Sequence, residues 1–288
     1  MPPKVQFYTE QNLRNAPLPN HGGRYAVVAH GDVIDNVKNK LALAGFNIKE
    51  EKYKMTVDGQ VAQGIYHLDY GNDAEMGMMF AWSNSYNKTM RFKCGVGGYV
   101  FVCSNGVLRG DMGNYSRKHS GTALQDVIAE IDNQIGHAKE HYDVLIHDKN
   151  LLQNIILTPK DKGKILGELF AYDEILTLTQ VGIVKREIDK PSFRYSSSPD
   201  SAWDMYNHIT LALKESHPGS YMRDHHKVHQ YFVDAYGNLV TAQLPSNVAS
   251  NVDPEDESPF IEESEEVLPA AVGSDFDIDM NAYGVNFL

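Results

Sequence analysis

The sequence predicts an α+β protein: an antiparallel sheet backed by long helices, with a disordered acidic C-terminal tail. Three observations carry this. Turn-linked segments with strand-like alternation run from Lys52 to Cys103. A 3–4 spacing of apolar residues then persists from Leu124 to Leu145. From about Asn247 the periodicity is lost and acids accumulate. Strands followed by helices favour a segregated sheet and helix layer over alternating βαβ units. The expected organisation is an irregular lead-in over residues 1–24, one α+β body over 25–246 and an acidic tail over 247–288.

Taken in order, Pro17, Pro19, Asn20, Gly22 and Gly23 mark the lead-in as irregular. Tyr25–Ala29 reads as a short strand. Asp32 then caps a helix that carries Val33, Val37, Leu41 and Ala44 on one face and stops at Gly45. Lys52 to Tyr70 reads as a hairpin, with Asp58-Gly59 as a type I′ turn because glycine accepts the positive φ required there. Met76–Trp82 and Lys88–Cys103 are further strands, the second interrupted by Gly95, Gly97 and Gly98. Thr122-Ala123-Leu124-Gln125 is a capping box opening a long helix with Val127, Ile128, Ile131, Ile135, Ala138, Tyr142 and Leu145 on its stripe. Pro159 ends this helical region, and helices are expected over Leu166–Leu176 and Ser197–Lys214. His217-Pro218-Gly219 breaks the last of them.

Composition narrows the function classes. No run approaches the roughly 18 apolar residues of a membrane span, the longest compact stretch being Tyr99–Cys103. Met1–Gln6 shows no apolar leader, so a cytoplasmic protein without membrane association is expected. Cys94 and Cys103 are the two cysteines; they differ in strand parity, which argues against a bridge, and they are too few for a cysteine zinc site. The net charge of −12 is concentrated at one end. Residues 251–288 hold 11 of the 38 acids and no Lys or Arg, so the body carries 27 acids against 26 bases. Such tails are solvated interaction segments, and a near-neutral body leaves a nucleic-acid partner open. Eleven acids with Pro254, Pro259 and Pro269 bury too little apolar area to offset chain entropy. Limited proteolysis is therefore expected to leave a core ending near Leu244. A tail protected in the isolated protein would overturn this.

The segment Lys88–Cys103 holds the clearest chemistry. Alternation places Met90, Phe92, Cys94, Val96, Val100 and Val102 on a core face, and Arg91, Lys93, Tyr99 and Phe101 on the other. Cations beside aromatic rings on an open sheet face suit single-stranded nucleic acid, with bases stacking on rings and phosphates meeting cations. Tyr86, Lys88, Arg109, Arg117, Lys118 and His119 extend the same stretch. His137-Ala138-Lys139-Glu140-His141 has the H-x-x-E-H form of one zinc-peptidase class but no visible third ligand, so a solvated helix flank is expected. Arg223–His229 is a second histidine-rich cluster, expected in a polar loop or at a helix end. It could offer a general base, a metal ligand or a phosphate contact. Gly95-Val96-Gly97-Gly98 lacks the spacing of either phosphate-binding loop and reads as a bulge.

Trp82–Thr89, Val102–Gly106, Arg117–Ser120 and Trp203–Thr210 resemble segments of the phage- and plasmid-like proteins carrying the domain of unknown function numbered 932. The similarity spans roughly Tyr25 to Phe232. It implies a gene product of phages, plasmids or prophages, acting in the host cytoplasm. It supplies no established reaction and transfers no catalytic residue. The first, third and fourth segments are polar, which favours a functional surface.

The resulting expectation is a phage-encoded single-stranded DNA binding or annealing protein of replication or recombination, without catalytic residue, cofactor or metal. Its sheet-and-helix order is compatible with the core of annealing proteins by analogy of fold alone. The acidic tail would compete with DNA. Its apolar end, with Tyr283, Val285, Phe287 and Leu288, would dock a replication or recombination partner. Homo-oligomerisation is left open. Two alternatives differ in class: an interaction protein that blocks a host factor with a nucleic-acid-mimicking tail, and a hydrolase using His225, His226 and His229.

Overall fold

The computed structural model describes residues 7–19, 27–87, 90–103, 105–108 and 123–236. All lie within the unit Met1–Leu244. The described strands are β1 (Phe7–Tyr8), β2 (Ile48–Met55), β3 (Val61–Leu68), β4 (Met76–Ser85), β5 (Lys93–Val100) and β6 (Gly106–Leu108). They form one antiparallel sheet in the order β1-β2-β3-β4-β5-β6, so each strand pairs with its neighbour in sequence. The helices are α1 (Glu10–Arg14), α2 (His30–Leu43), α3 (Ala123–Gly136), α4 (Ala138–Gln153), α5 (Pro159–Ala171), α6 (Leu178–Asp189), α7 (Ala202–Ala212) and α8 (Tyr221–Tyr236), with a 3-10 turn at Leu213–Glu215. The α+β class follows. No helix of the described residues is long and apolar enough to cross a membrane.

Several local expectations change. Val27–Ala29 is not a strand: Val28 instead gives its carbonyl to the Asn84 side-chain amide at 2.8 Å. Tyr25 and Ala26 lie outside the described residues. Helix α2 starts at His30 with Ala29 as its N-cap, and Asp32 falls in the first turn. The His30 backbone N–H is satisfied by the Tyr86 hydroxyl at 2.7 Å, so a tertiary contact replaces the side-chain cap. Gly45 follows the helix with φ +80°, as a stop requires. The β2–β3 turn is not type I′, since Gly59 (φ +71°) has a positive φ and Asp58 does not. Its loop is longer, closed by Thr56 N–H to the Val61 carbonyl at 2.9 Å.

The long helix is two. It breaks at His137, between α3 and α4, while Val127, Ile131, Ile135, Ala138, Tyr142 and Leu145 all stay buried. Thr122 of the expected capping box lies outside the described residues. Pro159 begins α5 instead of ending the helical region, because Thr158 and Asp161 form a capping box around it and a first-turn proline sacrifices no hydrogen bond. The expected helix over Leu166–Leu176 is thus α5, which closes at Ala171, and the one over Ser197–Lys214 is α7, capped by Ser201.

The sheet has two buried faces. One contributes Tyr66, Phe80, Trp82, Cys94, Val96 and Val100 to the main core with α2, α3, α4 and α7. The other contributes Ile65, Met79, Ala81, Tyr99 and Leu108 to a smaller core closed by Tyr221 and Met222 of α8. Every position of β3 and β4 is consequently buried. Cys94 and Cys103 are both free thiols, and both sit in the main core despite their different parity, because β5 ends at Val100 before Cys103. Val102, expected in the core, is half exposed for the same reason.

Candidate nucleic-acid interface

The register of the sheet assembles one polar row across its second face. Phe7 pairs with Lys54, Lys54 with Gln63, Gln63 with Ser83, and Ser83 with Lys93. Strand alternation puts all five on the side of α8, away from Tyr53, Trp82 and Cys94. The turn preceding α8 lies over this row, since the Ser83 hydroxyl donates to the Pro218 carbonyl at 3.1 Å. Lys54 is buried and donates to the Lys214 carbonyl at 2.9 Å, with its ammonium 5.0 Å from the Tyr221 ring centre. Burial pulls its pKa down to about 8, because an ammonium out of water loses solvation. Lys93 is also shifted down, first by burial and then by the positive charges of Arg223 and Arg91, which Asp224 partly offsets.

Arg91, Lys93 and Arg223 thus form a mutually repelling cluster at the start of β5 and of α8. Arg91 and Arg223 are exposed. Arg223 bonds its neighbour Asp224 at 2.9 Å. Beside the cluster is a groove of about 410 Å³, lined by Thr56, Asp58 and Val61 of the β2–β3 turn, Asn87 and Met90 after β4, and His217, Gly219, Ser220 and Arg223.

Of the expected contact residues, the structure brings Arg91 and Lys93 together and withdraws two of the rings. Tyr86 is buried, stacked on His30 with ring centres 3.8 Å apart, so it has no free face. Tyr99 is buried and stacked on His67 at 3.8 Å. Both were expected to stack on bases; Tyr99 is withdrawn because Tyr221 and Met222 close the sheet face that alternation alone would leave open, and Tyr86 because the start of α2 packs against it through His30. Phe101 keeps 46 % of its surface exposed and meets Tyr99 edge-on at 5.4 Å. It stands at the opposite end of β5 from Lys93, about 25 Å away at 3.3 Å per residue. Lys88, Arg109, Arg117, Lys118 and His119, and the terminal Tyr283, Val285, Phe287 and Leu288, lie outside the described residues.

Two polar segments expected at the surface are interior. Ser83, Asn84 and Ser85 are buried in β4, and Asp204, Asn207 and His208 in α7. Some of their polar atoms are used internally: Asn105 donates to the Asn207 carbonyl at 2.8 Å, and His208 pairs with Asp204 at 2.8 Å. Arg117–Ser120 lies outside the described residues.

The histidine cluster is helical, not a loop, and its members diverge. His225 is fully buried beside Gly106, and burial pushes its pKa down to about 3, so the ring is neutral. His229 instead meets Asp148 at 3.1 Å and Tyr206 at 3.4 Å in the main core. His137 is exposed and 6.1 Å from His141 between ring centres, and no group of three or more potential ligands gathers around a metal position among the described residues.

Lys54, Gln63 and Arg223 were missed as a set. Lys54 is visible in sequence only as the polar phase of β2, and Arg223 only as one base in a histidine-rich run. Comparison with known proteins finds a family model described as "Domain of unknown function (DUF932)", matching residues 17–233, more than half of the chain. No curated protein and no solved structure matches.

Proposed function

From the premise that the chain belongs to the DUF932 family, we propose that it binds single-stranded DNA and acts in replication or recombination, as a phage- or plasmid-borne protein of the host cytoplasm. The observation that carries this is the cluster of Arg91, Lys93 and Arg223, of which Arg223 lines the groove. The cations raise one another's energy, adding to the burial that is the larger cause of the lowered Lys93 pKa, and a phosphate placed among them relieves that repulsion. The ring contribution is smaller than alternation suggests. Phe101 and the 64 % exposed Phe7 supply stacking surface at the margins, while Tyr86 and Tyr99 serve packing. The acidic tail competes with the strand for the cluster, and its apolar end with Tyr283, Val285, Phe287 and Leu288 docks a replication or recombination protein.

The test is fluorescence anisotropy of a labelled single-stranded oligonucleotide over a salt series, with the full chain and with Arg91→Glu/Lys93→Glu. The double reversal is expected to weaken binding about tenfold or more at low salt and to lower the salt slope by about one unit per lost contact. The exposed Arg91 and half-buried Lys93 make folding of the variant checkable by circular dichroism. Unchanged affinity in a folded variant would remove this site.

A further inference from the structure

Resting on the strand-binding reading above, we propose that the row Lys54–Gln63–Ser83–Lys93 is a base-reading subsite, in which one base of the bound strand is read by the Gln63 carboxamide beneath the turn that precedes α8. Gln63 is completely buried in the middle of β3, and neither its Oε1 nor its Nε2 has a hydrogen-bond partner among the described residues. Buried amides are almost always satisfied, so a wholly unpartnered one marks a position that awaits a polar ligand. A carboxamide offers a donor and an acceptor side by side, the complement of the paired donor and acceptor on a base edge.

The surroundings select a nucleotide. Across the strands Gln63 is flanked by Lys54 on one side and by Ser83 and then Lys93 on the other, with no carboxylate in the row. The groove opens one row along, at Val61, two residues before Gln63 on the same face of the same strand. That separation is about 7 Å, roughly the distance from a nucleotide's phosphate to its base. A strand whose phosphate rests in the groove against Arg223 therefore presents its base toward Gln63. Access requires the His217–Ser220 turn to lift from the row, to which the Ser83 hydroxyl ties it. Asp58 is the acidic group at the groove, and its carboxylate is engaged by the Thr56 hydroxyl and the Gln60 N–H.

The experiment compares the affinity of the full chain for homopolymeric dA, dC and dT oligonucleotides of equal length, with Gln63→Met as the variant. The wild type is expected to discriminate among them by about fivefold or more, the low end of one amide–base pairing. Gln63→Met keeps the length, removes the unpaired amide, and is expected to melt no lower than the wild type while losing the preference. A wild type that binds all three equally overturns the subsite and leaves the basic cluster standing, and this arm needs no variant to fold. A folded Gln63→Met that keeps the preference also overturns it, making the amide a host for internal water. A wild type that binds no strand removes the strand-binding reading and the subsite with it.

Discussion

Trp82→Ala is expected to cost about 3–5 kcal/mol of stability, the usual range for deleting a buried tryptophan side chain. Trp82 has no exposed surface and lies in the central strand β4. Its indole N–H donates to the Tyr66 hydroxyl at 3.3 Å, and Tyr53 links on through its own hydroxyl to Tyr66 at 3.3 Å and to Glu51 at 2.8 Å. The ring fits because the residue opposite it is glycine: a Cβ on Gly64 would come within 2.3 Å of Nε1. Removing the ring opens a cavity and breaks the hydroxyl chain at its inner end. Filling the space from the other side fails as well, so Gly64→Ala is expected to destabilise by about 1–3 kcal/mol through overpacking. Urea unfolding followed by circular dichroism measures both. A loss below about 1 kcal/mol for Trp82→Ala would mean that the neighbouring side chains collapse into the space.

Asp73→Ala is expected to be nearly as damaging, by about 3 kcal/mol at neutral pH, because it strands the buried Lys149 ammonium. The two are 2.5 Å apart, with side chains only 15 % and 6 % exposed. Asp73 also accepts the N–H groups of Glu75 at 2.9 Å and Met76 at 2.8 Å, which sets the start of β4. Burial alone would raise the Asp73 pKa, but the Lys149 bond and the two backbone donors outweigh it and hold the carboxyl below its ordinary value. A carboxylate with a depressed folded pKa stabilises fully above its unfolded pKa, near 4, and loses that contribution as pH falls through the folded value. The gap in urea midpoint between wild type and Asp73→Ala is therefore expected to be wide at pH 7 and narrower at pH 3. Asp73→Asn, which keeps an acceptor for the backbone but not the charge, should fall between the two. A gap equal at both pH values would show that Asp73 acts only as a neutral cap.

The elements that could be read locally were those whose residues carry both a period and a boundary signal. The β2–β3 hairpin has alternation on both sides of Asp58-Gly59, and α2 has a stripe from Val33 to Leu41 ended by Gly45. Pro159 was misplaced because a proline marks a discontinuity without saying which side of it is helical; Thr158 and Asp161 decide that. Helix α8 was missed because its 16 residues carry six of Arg, Asp, His and Lys in the run Arg223–His229, broken only by Val228, and its apolar contacts are split between two cores.

The sequence by itself determined which side chains share a face. Alternation put Lys93 and Tyr99 on one side of β5 and Cys94 and Val96 on the other, and the structure keeps that division. Whether a face meets water was decided only by tertiary structure. Alternation is set by backbone geometry within a strand, whereas cover comes from elements distant in the chain: Ser83 is capped by Pro218, 135 residues away. The same distant segment covers Tyr99 with Tyr221 and Met222, while Gln63 is enclosed without a partner and Arg91 and Arg223 stay in solvent. Period specifies orientation; the free energy of burying apolar surface between remote segments specifies exposure, and no local pattern encodes it.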